Sequence, residues 1–326
     1  MAITKLARSG AGVGWVVPGL LSACAAATDE PVGQQQEALA VTELRHVIVI
    51  AMENHDANQI YGNSSAPYIN GVLLPAGARG TDFNDELPLS APSEPHYLWM
   101  EGGTHAYSDH TFNGNADPSA SNSTASVNHL SRQIKDDDSV TWRTYQEGLN
   151  SSTGRCPIHS SGFYAAKHNP FVFFQDIAGD PPSADNDYCV SHHRPYSALA
   201  ADVAAGDVAS FTFITPNLCN DMHGASGCPD SNQVRSGDTW LSHELPRLIE
   251  YVEEHAGVIF VTWDEGSATL KMPFIALGPT VKPGYTGSES YTHASVLKST
   301  EHLLGLPTLP RVAGANDLSD LFESYP

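Results

Sequence analysis

Two kinds of hydrophobic pattern alternate along the chain. Short runs of consecutive apolar, largely β-branched residues recur at Arg45–Met52 (RHVIVIAM), Val208–Thr215 (VASFTFIT), Val258–Trp263 (VIFVTW) and Met272–Leu277 (MPFIAL). Runs without polar alternation predict strands buried on both faces, the habit of parallel sheets. Apolar residues at helical spacing over Tyr196–Ala205, Thr239–Glu254 and Ala294–Leu304 predict amphipathic helices, and a further helix is predicted over Pro92–Gly102. The order strand, helix, strand, helix, strand argues for an α/β fold: a three-layer α/β/α sandwich around a mainly parallel sheet. From Asn84 to Asp187 the pattern weakens into Ser, Asn, Gly and His, with one aromatic stretch at Phe163–Asp176. No linker splits the chain, so one domain with elaborate loops is expected over residues 44–326.

The start of the chain follows a different rule. Lys5 and Arg8 precede an apolar stretch, Gly10–Leu21, that is too short to span a bilayer. It ends in Leu21-Ser22-Ala23-Cys24, and small residues before a Cys resemble the lipobox of bacterial lipoproteins. Residues 1–23 then read as a lipoprotein signal peptide, Cys24 as the lipidated residue, and 24–43 as a flexible polar tether. The expectation is an exported protein, lipid-anchored in a bacterial cell envelope; an ordinary secretory signal and a secreted protein is the alternative. No later segment approaches 18 consecutive apolar residues, so membrane contact would run through the lipid alone.

Composition narrows the partners. The 326 residues carry 16 Lys+Arg against 37 Asp+Glu, a net charge of −21, which argues against nucleic acid. Beyond Cys24 the cysteines are Cys156, Cys189, Cys219 and Cys228, none in CxxC spacing, so a structural zinc cluster is not expected. An even number in an exported chain suggests two disulfides. Of the three pairings, short loops favour Cys156–Cys189 with Cys219–Cys228. Sequons at Asn63, Asn122 and Asn150 would matter only in a eukaryotic source.

Candidate chemistry collects where two of the predicted strands end. In open parallel sheets functional groups gather beyond the carboxyl ends of strands. One run passes into Glu53-Asn54-His55-Asp56, another into Asp264-Glu265-Gly266. On neighbouring strands these would set four oxygen donors around one point, a costly arrangement unless a divalent cation neutralises it. Ser93 lies between two prolines (APSEPHY) just before a helical run, where a hydroxyl could meet an anion at the helix N-terminus; a plain N-cap is the simpler use of such a Ser. His223 (NLCNDMH), His293 (YTH) and His168 (KHNP) stand after strands or at helix starts among 15 histidines.

Taken in order, VIVIAMEN, APSEPHY, KHNPFVFF, TPNLCNDMH, GDTWL, VTWDEG and YTHASVL resemble the phosphoesterase family that includes bacterial non-specific phospholipases C and acid phosphatases, within the alkaline-phosphatase-like superfamily. The resemblance spans roughly residues 44–320. It implies Glu53, Asn54, Ser93, Asp264 and Glu265 as metal ligands, with Ser93 also the nucleophile. Asp221 and His223 would bind or protonate the phosphoryl group, and Lys167, His168 and His293 would be outer substrate contacts. Family members often have Pro-Asn where this chain has Pro95-His96, which leaves the role of His96, grouped here with the substrate contacts, open. An oxygen-rich set favours Mg²⁺, Mn²⁺ or Ca²⁺, and a coordinating His would favour Zn²⁺ or Fe. The function so implied is a monomeric, metal-dependent phosphatase forming a phosphoserine on a small phosphorylated substrate. A phospholipase C-type phosphodiesterase is the runner-up, and a non-catalytic phosphate- or metal-binding lipoprotein the alternative of another class. The Cys-x-Pro-x-Arg context of a sulfatase is absent.

Overall fold

The computed structural model describes residues 44–149 and 154–325. The expected signal peptide, Cys24, the tether and the Asn150 sequon lie outside them. Among the described residues the chain forms an eight-stranded sheet, with strands β1 (His46–Met52), β2 (Ala78–Phe83), β3 (Trp142–Gln146), β4 (His193–Pro195), β5 (Phe211–Thr215), β6 (Gly257–Trp263), β7 (Phe274–Leu277) and β8 (Tyr285–Tyr291). Their order is β4-β3-β5-β1-β6-β7-β2-β8. β1 lies at the centre, parallel to β5 on one side and to β6 on the other. Only β7 runs against its neighbours, β6 and β2.

The apolar runs became the middle of this sheet because their side chains are apolar on both faces, with only an occasional small hydroxyl among them. Every residue of β5, β6 and β7 is buried, as is β1 from Val47 onward. β2 and β8, paired in parallel at one edge, read ARGTDF and YTGSESY and carry exposed residues in between, so no apolar run announced them. β3 and β4, at the other edge, are short; β3 comes from the Ser- and His-rich middle of the chain and β4 from just beyond it.

Helices cover both faces. Val49 borders a small apolar void with Met100, Leu130, Phe213 and Val296, which places the Ser93–Gly102 and His293–Leu303 helices over one face. Met52 has the opposite parity along the strand and meets Gly237 of the Gln233–Glu254 helix on the other face. That helix begins at Gln233 rather than Thr239, because the Asn232 side chain caps it, accepting from the Arg235 N–H at 3.0 Å. The Ser93–Gly102 helix ends on Gly103, whose φ of 64° is left-handed. No helix among the described residues is long and apolar enough to cross a membrane.

Candidate active site

Beyond the carboxyl ends of β1, β5 and β6 the chain turns outward and leaves polar groups behind. β1 and β6 run in register to Met52 and Trp263, so Glu53-Asn54 and Asp264-Glu265 emerge side by side. The Asn54 N–H donates to Asp264 Oδ1 at 3.1 Å, and the Asn54 side-chain amide donates to Glu265 Oε1 at 3.0 Å. Asn54 itself sits at φ 39°, a conformation Asn tolerates better than most side chains. The Ser93 hydroxyl, at the first residue of its helix and 3% exposed, donates to the same Glu265 Oε1 at 3.0 Å.

A second group adjoins the first. Asp221 follows β5, and its carbonyl accepts from the Glu53 N–H at 2.8 Å. Glu53, His168 and Asp221 offer ligand atoms within 4.8 Å of one another, and so do His96, Asp264 and Glu265. Tyr97 donates its hydroxyl to Glu53 Oε1 at 2.5 Å, and His168 Nδ1 lies 3.1 Å from the same oxygen while its ring stacks on Tyr97.

Electrostatically these acids are unstable company. Burial, then the charge of Asp221, holds the Glu53 carboxyl well above the ordinary range. Burial with Glu53 and Glu265 does the same to Asp264, burial with Asp264 does so to Asp221, and burial raises Glu265. Burial, with Lys167 and His223 nearby, drives His168 well below the usual imidazole value, so its ring is neutral. Glu53 Oε2, Asn54 Oδ1, Asp221 Oδ2, Asp264 Oδ2 and His168 Nε2 are all buried without a hydrogen-bond partner. Unpartnered acceptors converging from three strand ends and a loop fit a divalent cation, which needs oxygen and imidazole lone pairs and cancels the repulsion.

His96 belongs to this neighbourhood differently. Its Nδ1 stands 2.9 Å from the Pro92 carbonyl and its Nε2 3.0 Å from Asp85 Oδ2. Burial opposes its charge, but Asp85, helped by Asp264 and Glu265, raises the ring to about 9. A ring donating from both nitrogens has no lone pair for a metal. His96 is therefore a buried cation beside the acids, facing inward and 1% exposed, rather than a group presented to substrate.

The remaining sequence candidates are spread around this centre. His223 is half-buried, its N–H donates to Asp221 Oδ1 at 2.7 Å, and its Nδ1 lies 2.8 Å from the Gly224 carbonyl, which leaves Nε2 for proton exchange. His293 Nε2 donates to the Asp264 carbonyl at 2.8 Å and so supports the ligand strand from behind. Lys167 is half-buried and its charge acts on Glu53 and Glu94. Both favoured disulfides form: Cys156–Cys189, and Cys219–Cys228, which brackets Asp221 and His223. Sequence reasoning passed over Tyr97 and Asp85. Tyr97 was readable in part, since it lies four residues after Ser93 on the same helical face.

A model of the phosphoesterase family matches residues 76–307. The chain belongs to the phosphoesterase family. As a member it is a hydrolase acting on phosphoric ester bonds. The phosphoesterase is 28% identical over 325 residues to the phosphatidylinositol-3-phosphatase of Mycobacterium tuberculosis, covering 98% of this chain and 96% of that one. It is 25% identical over 286 residues to a probable acid phosphatase of Kluyveromyces lactis and 27% identical over 285 residues to an acid phosphatase of Aspergillus fumigatus. These alignments cover 83% and 82% of this chain but 60% and 56% of the fungal proteins, so the phosphoesterase spans little more than half their length. Among solved structures it is similar in fold to an alkaline phosphatase superfamily protein from Vibrio parahaemolyticus (TM-score 0.54, 11% identity, 85% and 70% of the two chains). It is similar likewise to murine ectonucleotide pyrophosphatase/phosphodiesterase 5 in complex with AMP (TM-score 0.54, 13% identity, 85% and 100%).

Proposed function

We propose that the protein is a metal-dependent phosphomonoesterase that works through a phosphoserine on Ser93. One observation carries the reading: the Ser93 hydroxyl and the Asn54 amide converge on a single Glu265 oxygen, in a ring of buried acids whose outer oxygens have no partner. Glu53, Asn54, Asp221, Asp264, Glu265 and His168 would hold one or more divalent ions, which polarise the phosphate and lower the Ser93 pKa. Ser93 gives its proton to Glu265 Oε1, to which it is hydrogen-bonded, as its Oγ attacks phosphorus. The bond from phosphorus to the alcohol oxygen breaks, and that oxygen takes a proton from protonated His223 Nε2. Water then hydrolyses the phosphoserine to free phosphate and gives a proton back to His223.

A monoester is favoured by the relative that aligns along almost its whole length, a phosphatidylinositol-3-phosphatase, and by the fungal acid phosphatases. Two disulfides and the lipobox-like start support export and anchoring to a bacterial envelope through Cys24. The test compares p-nitrophenyl phosphate, phosphatidylinositol 3-phosphate and phosphatidylcholine, with and without chelator, beside Ser93→Ala. Expected is chelator-sensitive release of phosphate from the two monoesters, lost on the order of 10³-fold or more in Ser93→Ala. Turnover of phosphatidylcholine alone would replace the reading with the diesterase, and full activity of Ser93→Ala would remove the nucleophile.

A further inference from the structure

We infer that Asp56 is a positioning residue that builds the metal-binding end of the site by holding the loop after Asp264-Glu265. The inference rests on the metal-dependent reading above and concerns a residue outside the ligand set. Asp56 is 3% exposed, and a single oxygen, Oδ1, accepts from three successive backbone N–H groups: Ser267 at 3.0 Å, Ala268 at 3.2 Å and Thr269 at 3.0 Å. Three consecutive amides turned onto one oxygen define the loop's curvature. Elsewhere in proteins such concave amide arrays hold anions; here the anion is supplied by the protein's own side chain.

Space around this contact is already used. A Cβ on Gly266 would run into the Thr269 carbonyl oxygen and lie 2.8 Å from Asp56 Oδ1, so only glycine fits between Glu265 and the gripped amides. Gln59 adds a lighter tie: its Oε1 accepts from the Asp56 N–H at 2.7 Å and from the Ser267 hydroxyl at 2.7 Å. The Ala57 N–H donates to the Lys271 carbonyl at 2.9 Å, which closes the other end of the loop. Glu265 is tied on its other side through Asp264 to β1 and His293, so these contacts fix the side of Glu265 that leads into the loop, and both Ser93 and Asn54 use its Oε1. Side chains that orient ligands typically contribute 10–100-fold to metal affinity or activity.

The experiment measures Mn²⁺ binding by titration calorimetry on the full chain for wild type, Asp56→Ala, Asp56→Asn and Gln59→Ala, with the melting temperature of each metal-free protein. Asp56→Asn keeps a neutral acceptor at Oδ1 and Asp56→Ala removes it. Expected is Mn²⁺ affinity weakened about 10–100-fold in Asp56→Ala, unchanged within about threefold in Asp56→Asn, and little affected in Gln59→Ala. Equal affinity of Asp56→Ala and wild type overturns the inference while leaving the metal-dependent reading intact. Equal loss in Asp56→Asn and Asp56→Ala overturns it in favour of a purely electrostatic role. Should Asp56→Ala not fold, Asp56→Asn decides alone: near-wild-type binding supports the inference and a tenfold loss overturns it. A wild type that binds neither Mn²⁺ nor any other divalent cation fails the metal-dependent reading itself, and the inference with it.

Discussion

The Ser93–Gly102 helix has a buried cluster of acids and imidazole at each end, and the two could hardly be more different. At its start, Glu53, Asp221 and Asp264 keep carboxylate oxygens without partners around a neutral His168. At its end, Glu101 Oε1 accepts from the Ser131 N–H at 2.7 Å, from the Ser131 hydroxyl and from His129 Nδ1 at 3.1 Å. His129 Nε2 donates in turn to Asp176 Oδ1 at 3.1 Å, and the ring stacks on Phe174 with centroids 3.8 Å apart. Burial opposes the charge on His129, yet Asp176 and Glu101 raise its pKa above the ordinary value. Each cluster has a charged imidazole, His129 within the one and His96 beside the other, but the first leaves one buried acid oxygen, Asp176 Oδ2, without a hydrogen-bond partner and the second leaves three, Glu53 Oε2, Asp221 Oδ2 and Asp264 Oδ2. The number of buried acceptors left unmet, more than burial or charge, separates the two clusters.

Mutation should split the two by sign. His129→Leu leaves Glu101 and Asp176 facing each other without their cation and should destabilise the protein by about 3–5 kcal/mol in urea unfolding. A change below about 1 kcal/mol would show that the cluster is not a closed ion network.

The pH dependence follows from the same contrast. A group whose pKa is raised in the folded state contributes stability that is complete below its unfolded value and is lost as pH rises through the folded one. This holds for His129 and also for Glu301, which burial raises to about 7. The stability that wild type holds over His129→Gln should therefore be largest at mildly acidic pH and shrink as pH rises. Parallel pH profiles for the two proteins would contradict this assignment. The smallest effect is the most diagnostic: Glu53→Gln removes one like charge from the open cluster and should stabilise the metal-free protein by about 1 kcal/mol while abolishing turnover. A loss of stability there would mean the acids are not in conflict.

How much of this could be read from the sequence depended on whether a residue's neighbours in the chain are also its neighbours in space. VIVIAM and VIFVTW announced β1 and β6 because a central strand is apolar throughout, and the acids following each were therefore visible as strand-end groups. YTGSESY gave no such signal, since an edge strand tolerates exposed polar positions and its partner β2 lies far away in sequence. The resemblance put Asp221 and His168 in the site as a phosphoryl and a substrate contact, but their closeness to Glu53 was not legible, since only the turn after β5 carries Asp221 to it. His96 looked like a substrate contact because the Asp85 and Pro92 acceptors that engage its nitrogens could not be located from sequence. Asp56 was visible as part of ENHD, but its grip on residues 267–269 depends on the β1–β6 register.

The site draws on Glu53, Ser93, His168, Asp221 and Asp264, with His293 behind them, so its groups reach across most of the sequence and arrive from both sides of the central strand. No hairpin or single helix can rehearse it. Parallel pairing between such distant segments is slow to assemble, and the groups meet only once β5, β1 and β6 have paired. A partly folded chain has the ingredients of a phosphoesterase but not its reactivity, and activity therefore doubles as a readout of that pairing.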